Sequence, residues 1–187
     1  MKSSTSLCLF FALSILLQSC SAYNPVSTYL KEQKKCQSGR IFVFPEKVSD
    51  LRAISILQGT PRLSSSGVKI WAGSKMYSEV EYEELKREHL KDDEIRYWKP
   101  EDFKIHMEML KVNFLSDLKS IPKEILQGDR LFLSFSEPIQ YKYKDQVFFF
   151  ISESTNIGVS TFSGIVVMKK EKGEWKIVEK IASSELH

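Results

Sequence analysis

The chain has 187 residues, enough for one domain with a substantial hydrophobic core and too few for two domains of ordinary size. Hydrophobic residues make up 42% of the chain and aromatic residues 12%, which excludes a disordered protein and favours a packed sheet. The net charge of +3 comes from 27 basic and 24 acidic residues that form no basic stripe, so we expect no nucleic acid partner.

The first twenty residues have the pattern of an export signal. Lys2 is the only charged residue among them, and an apolar run from Leu7 to Leu17 follows it, broken only by Ser14. A positive start, a short apolar run and small residues after it are typical of a secretory signal. The run is about half of the ~20 residues that a permanent membrane-spanning helix needs. The sequence therefore predicts export.

The end of this signal reads Leu17-Gln18-Ser19-Cys20 and resembles a bacterial lipobox. The resemblance implies a signal peptide of residues 1–19 and a lipid on Cys20 that holds the protein to a membrane. Each buried methylene of such a lipid contributes about 0.8 kcal/mol. We expect an outer membrane lipoprotein. Several bacterial surface-export signals resemble an acidic run just beyond the anchor, and none follows Ser21, so we expect the domain to face the periplasm. The alternative is an ordinary signal peptide cut after Ala22, which predicts a secreted protein.

Cysteine usage gives no disulfide framework under either alternative. Cys8 is lost with the signal under both alternatives. Cys20 either carries the lipid or is lost with the signal, so Cys36 is the one free thiol that remains. A lone thiol in an oxidising compartment has no partner within the chain. The fold is therefore expected to depend on its hydrophobic core.

The mature chain divides into two parts by composition. We predict a lipidated tether over residues 20–39 and a single α+β domain over residues 40–187. Within the tether, Val26 to Lys35 has the pattern of a short helix. Arg40 to Phe44 is a short strand candidate.

Further along the chain, a weak apolar patch from Ile54 to Leu57 is followed by a loop of turn formers from Gln58 to Gly67. Val68 to Trp71 is then a second short strand candidate.

Two helices are expected before the C-terminal third. The first runs from Ser78 to Lys91, with Ser78 as N-cap and Glu81 completing a capping box. The second begins at Pro100 and has an acidic first turn. Its apolar stripe, at helical spacing, consists of Phe103, Met107, Leu110, Phe114 and Leu118.

The C-terminal third has the pattern of a sheet. The Lys172-Gly173 turn separates the last two of four strand-like runs, which are Leu131 to Phe135, Val147 to Ile151, Phe162 to Met168 and Trp175 to Ile181. Short connections favour antiparallel pairing, because parallel neighbours need crossovers of a dozen residues or more. The predicted fold class is α+β, with an N-terminal helical half packed on a C-terminal antiparallel four-stranded meander.

Two motifs within this sheet are typical of a known group of proteins. The sequence S-E-P-I begins at Ser136, and K-G-E-W-K-I-V begins at Lys172. Together with the lipobox they make the chain similar to small lipoproteins of Bacteroidetes, over about its last third. The resemblance implies export and a β-meander. It carries over no active-site residue, because that group has no assigned reaction.

Histidine is the residue that most often acts as a catalytic acid or base, and the chain has only three. His187 is the last residue, and His89 lies in the charged helix, where a solvated side chain is expected. His106 lies four residues after Asp102, so both would share one face of the predicted second helix. An Asp-His pair can orient an imidazole for base catalysis. One alternative function is therefore an envelope enzyme whose site is assembled around His106 from residues distant in sequence.

No motif for a cofactor or a metal is present. The zinc pattern H-E-x-x-H, the calcium loop, the P-loop and the glycine-rich dinucleotide motif are all missing from the sequence. We therefore expect no cofactor and no metal site.

Binding residues are predicted at two places in the sheet. Tyr141 and Tyr143 alternate with lysines, and such side chains offer rigid amphipathic surfaces to a partner. The second place is the loop from Asn156 to Ser160. The leading function is therefore a membrane-tethered, non-enzymatic binding protein of the envelope. Its more specific form is a periplasmic immunity protein whose partner is a delivered toxin, and the broader alternative is another envelope component.

Overall fold

The computed structural model describes residues 24–36, 39–63, 69–72, 77–90, 94–103, 105–112, 121–140, 143–156 and 159–183. Within these residues the helices are α1 (Asn24–Cys36), α2 (Asp50–Gln58) and α3 (Glu79–His89). Short 3₁₀ helices cover Pro100–Asp102 and Lys123–Leu126. The strands are β1 (Arg40–Val43), β2 (Thr60–Leu63), β3 (Lys69–Ala72), β4 (Glu108–Met109), β5 (Arg130–Phe135), β6 (Ile139–Gln140), β7 (Gln146–Asn156), β8 (Val159–Glu171) and β9 (Glu174–Ala182).

In the described part of the chain, seven strands form one mixed sheet. Its order is β4-β1-β5-β7-β8-β9, with β6 also paired to β7, while β2 and β3 form a separate two-stranded sheet. β5, β7, β8 and β9 pair antiparallel, and β1 is parallel to both β4 and β5. The predicted α+β class is confirmed. The finer division into a helical half and a meander is not confirmed, because β1 and β4 precede the predicted meander in the chain and join the same sheet.

β7 is the centre of the core. Its aromatic run, Phe148 to Phe150, and the following Ile151 are at most 1% exposed. Side chains alternate along a strand. Phe149 and Ile151 accordingly face the cluster that contains α1, and Phe148 and Phe150 face the cluster that contains α2 and Tyr82 of α3. Helices thus cover both faces of the sheet, and this explains why the run is apolar at every position.

α1 corrects the boundary between tether and domain. A helix over Val26 to Lys35 was expected, and α1 contains that range. Val26, Tyr29 and Leu30 of this helix are 0–1% exposed and belong to the core cluster on that face of the sheet. Residues 24–36 are therefore part of the packed fold, and the tether predicted over residues 20–39 is too long.

α3 and the last hairpin begin and turn where their sequences predict. The Ser78 hydroxyl accepts a hydrogen bond from the Glu81 N–H at 3.3 Å, and the Glu81 carboxylate accepts one from the Ser78 N–H at 2.7 Å. The capping box is therefore complete. Lys172 and Gly173 both have positive φ, 51° and 88°, as a two-residue turn between right-twisted strands requires.

The predicted second helix is wrong over its described part. Only the 3₁₀ turn Pro100–Asp102 is helical, and Phe103 already has an extended backbone. The chain then pairs with the sheet through β4, and the Leu110 N–H donates to the Val43 carbonyl at 2.9 Å. Phe103, Met107 and Leu110 are buried, but in an extended segment rather than on one helix face. Tertiary pairing has overridden the helical spacing. Phe114 and Leu118 lie outside the described residues.

Candidate functional site

Five ionisable side chains meet where α2, α3 and three extended segments come together. We call Lys47, Asp50, His89, Arg96 and Glu137 the charge cluster. Asp50 lies in the first turn of α2, directly after the N-cap Ser49, and is only 3% exposed. A carboxylate at a helix N-terminus is stabilised by the partial positive charge there. The cluster thus forms around an acid that the helix holds below the surface.

Asp50 Oδ2 is the central acceptor of the charge cluster. It lies 2.9 Å from Arg96 Nη2 and 3.3 Å from Nδ1 of His89, at the end of α3. Asp50 Oδ1 is buried and has no hydrogen-bond partner among the described residues. The ion pair is therefore strongly desolvated on the carboxylate side.

Glu137 forms ion pairs with both Lys47 and Arg96, the two cations of the cluster. Its Oε2 accepts from Arg96 Nη1 at 2.9 Å, and its Oε1 accepts from Lys47 Nζ at 2.5 Å. Lys47 Nζ also lies 4.5 Å from the ring centre of the buried Trp98, a cation–π geometry. The charges of Lys47 and Arg96 are thus neutralised within the protein.

The chemistry of the charge cluster is that of an internal ion network. Asp50 and His89 form an Asp-His contact, which in an enzyme could activate a neighbouring nucleophile. The hydroxyl of the neighbouring Ser49 has a structural role instead, because it accepts a hydrogen bond from the Leu51 N–H at 3.3 Å and so caps α2. No group of three or more potential metal ligands occurs among the described residues. The network ties α2 and the end of α3 to the sheet connections at Lys47, Arg96 and Glu137.

A pocket of about 120 Å³ opens beside the charge cluster. Two chain segments line it, and they contribute Glu46, Lys47, Val48, Ser49, Glu94, Ile95 and Arg96. Partial burial raises the pKa of the Glu46 carboxyl above its usual value, since burial disfavours the charged form. Pockets for small-molecule ligands usually measure ~300–1,000 Å³, so this one fits a single side chain rather than a metabolite.

Comparison with known protein families, characterised proteins and solved structures gives no match. Within the described ranges, no helix is long and apolar enough to cross a membrane.

A second polar cluster lies on the α1 face of the sheet. The buried Tyr29 hydroxyl donates to Glu153 of β7, and Lys180 Nζ of β9 donates to the same hydroxyl at 2.8 Å. Burial, then the hydrogen bond to Glu153 and its negative charge, raise the pKa of Tyr29 well above its usual value of 10.0. This cluster fastens α1 to two strands.

The predicted tyrosine patch is described only in part. Tyr143 is 59% exposed, and its carbonyl accepts from the Gln140 side chain at 2.8 Å and the Gln146 N–H at 2.9 Å. Tyr141 lies outside the described residues, as does Cys20. Tyr143 is thus available to a partner on a turn that its backbone stabilises.

The second predicted patch lies at the other end of β7. Asn156 ends β7 and pairs with Val159, but its side chain lies outside the described residues. The Ser160 hydroxyl donates to the carbonyls of Glu153 and Phe162 at 3.2 and 3.1 Å. Ten residues of strand, ~33 Å, separate Asn156 from the start of β7 near Tyr143. The structure does not bring the two patches together.

The predicted Asp102–His106 pair is not formed. The Asp102 carboxylate accepts the Lys99 N–H at 2.9 Å and so caps the 3₁₀ turn. His106 is exposed in an extended segment. The helix that would have placed it on the same face as Asp102 is not formed in the described part of the chain. Asp102 therefore does not orient the His106 ring in the described part of the chain.

The charge cluster had no sequence signal as a whole. Asp50, the stretch from His89 to Arg96, and Glu137 follow one another at separations of about forty residues, and no spacing rule joins them. A partial signal existed in Ser49-Asp50, which has the pattern of an N-cap followed by an acidic first turn. It would have identified α2 but none of the partners of Asp50.

Proposed function

We propose that this chain is an exported lipoprotein, anchored through Cys20, whose α+β domain binds a protein partner in the bacterial envelope without catalysing a reaction. The lipobox Leu17-Gln18-Ser19-Cys20 carries the proposal. Cys20 is four positions before Asn24, where α1 begins. Four residues span at most ~14 Å, so a lipidated chain would keep its domain close to the membrane surface.

Binding is favoured over catalysis by how the polar groups are used. Asp50, Arg96, Glu137 and Lys47 pair with one another, and Asp102 caps a turn. Asp102 was one partner that could have oriented His106 in the enzyme alternative, and its carboxylate is used in the turn instead. Tyr143 instead presents a large aromatic side chain to solvent, which is the kind of residue that anchors protein interfaces.

The specific form of the proposal is an immunity protein that binds a toxin delivered to the periplasm. A small membrane-held binder would meet such a toxin at its site of action. The broader form, binding to another envelope component, requires the same anchor and the same exposed surface.

The partner-binding surface is tested by changing Tyr141 and Tyr143 together to alanine. We expect capture of the partner from detergent-solubilised envelopes to weaken at least ~30-fold, since an anchor residue contributes ~2 kcal/mol or more. Melting temperature should change little, because Tyr143 is largely exposed. Co-purification followed by titration with the captured protein gives the affinity.

The matched control is Val178→Ala, which removes an exposed apolar side chain from β9. It should leave capture unchanged. Equal capture by wild type and the double tyrosine variant would contradict the tyrosine patch. The absence of any partner specific to the wild-type domain would contradict the binding function itself.

A further inference from the structure

The segment from Glu94 to Lys99 has the geometry of an edge strand. It runs antiparallel to Pro45–Lys47, with the Lys47 N–H donating to the Arg96 carbonyl at 2.8 Å and the Trp98 N–H donating to the Pro45 carbonyl at 2.7 Å. Backbone groups of successive residues point to opposite sides of a strand. The N–H and carbonyl groups of Ile95 and Tyr97 therefore point away from the Pro45–Lys47 segment. They make no backbone–backbone hydrogen bond within the described residues.

The side chains of this segment alternate in the same way. Arg96 enters the charge cluster and Trp98 is 3% exposed. Ile95 and Tyr97 face solvent, with 64% and 45% of their surface exposed. Exposed apolar side chains beside an unpaired strand edge are the arrangement that a further strand from another chain can extend.

The pocket beside this edge is lined by two acids and two bases, and the acids are the ones without an ion-pair partner in the described part of the chain. Lys47 and Arg96 line the pocket but are neutralised by Glu137 and Asp50. Glu46 and Glu94 also line it, and neither has an ion-pair partner in the described part of the chain. Val48 and Ile95 supply apolar surface between them. The pocket therefore complements a cation on a long aliphatic stem, and its volume matches one side chain.

We propose that the edge from Glu94 to Lys99 binds an extended basic segment of a partner protein, with one lysine or arginine of that segment entering the pocket between Glu46 and Glu94. Ile95 and Tyr97 pack against apolar residues of the partner, and the outward backbone groups of Tyr97 extend the pairing. The inference rests on the proposed binding function and adds to it a second surface with a stated partner chemistry.

The test uses two labelled peptides of alternating residues, one of lysine and valine and the other of glutamate and valine. Fluorescence anisotropy with the purified domain measures their affinities. We expect the basic peptide to bind at least tenfold more tightly than the acidic one, and binding to weaken as salt is raised. Equal affinity of the two peptides, or no binding of either, would overturn the proposal.

Variants identify the surface. Glu46→Gln with Glu94→Gln should weaken binding of the basic peptide at least tenfold, and Ile95→Ser should weaken it severalfold. The control, Glu171→Gln with Glu174→Gln, removes the same charge from the exposed β8–β9 hairpin and should leave binding unchanged. An equal loss in the control would overturn the proposal. Failure of the peptides to bind, together with intact capture of the envelope partner, would reject this edge and leave the proposed function standing.

Discussion

Replacing Asp50 with alanine is expected to lower the free energy of unfolding by about 3 kcal/mol. The substitution removes the acceptor that Arg96 faces at 2.9 Å and that His89 faces at 3.3 Å. It leaves a partly buried guanidinium without its central counter-charge, and it removes an acid from the first turn of α2. Urea denaturation of the purified domain measures the change.

Asp145→Ala is the matched control for Asp50→Ala. Asp145 makes a 3.9 Å ion pair with Lys169 in which both side chains are exposed. Exposed pairs contribute ~0–1 kcal/mol, so the control should change stability little. Similar losses in both variants would contradict a structural role for the charge cluster. A double-mutant cycle with Arg96→Leu should give a coupling of ~1–3 kcal/mol, because the two side chains share one contact.

Stability should fall above pH 10 through Tyr29. Its pKa is raised in the folded protein, chiefly by burial and then by Glu153, so the folded state keeps a proton that the unfolded chain releases above its usual pKa of 10.0. The contribution is complete below pH 10 and is lost as the pH rises further. At pH 11 the free energy of unfolding should be lower by about 1 kcal/mol from this group alone.

Tyr29→Phe isolates this effect, since other groups titrate in both proteins. The variant should lose about 1 kcal/mol near neutral pH through its missing hydrogen bonds. Its stability should then fall less than that of wild type between pH 8 and pH 11. Parallel pH profiles for the two proteins, measured by urea denaturation, would show that Tyr29 does not carry the proton linkage.

The elements that local chemistry determines could be predicted from the sequence. The capping box at Ser78 and Glu81, the Lys172-Gly173 turn and the apolar β7 each depend on neighbouring residues. The class α+β followed from such elements. α2 was seen only as a weak apolar patch, because a nine-residue helix with four buried positions carries a short pattern.

The remaining features depend on contacts between distant residues. β4 has only two residues and pairs with β1, although the apolar residues between positions 103 and 118 follow helical spacing. Arg96 meets both Asp50 and Glu137 only because the chain segments that carry these three residues converge in the fold. Such contacts leave no local pattern, so both the charge cluster and the strand edge beside it could be recognised only in the folded protein.

Membrane attachment through Cys20 is the central claim, and the mass of the mature N-terminus tests it most directly. Wild-type protein purified from membranes should begin at a lipid-modified Cys20 and incorporate labelled palmitate. Cys20→Ser should lose the label and leave the membrane fraction or remain as an uncleaved precursor, while the control Cys36→Ser keeps label and location. A mature protein that begins at Tyr23, with Cys20→Ser still in the membrane fraction, would contradict the account.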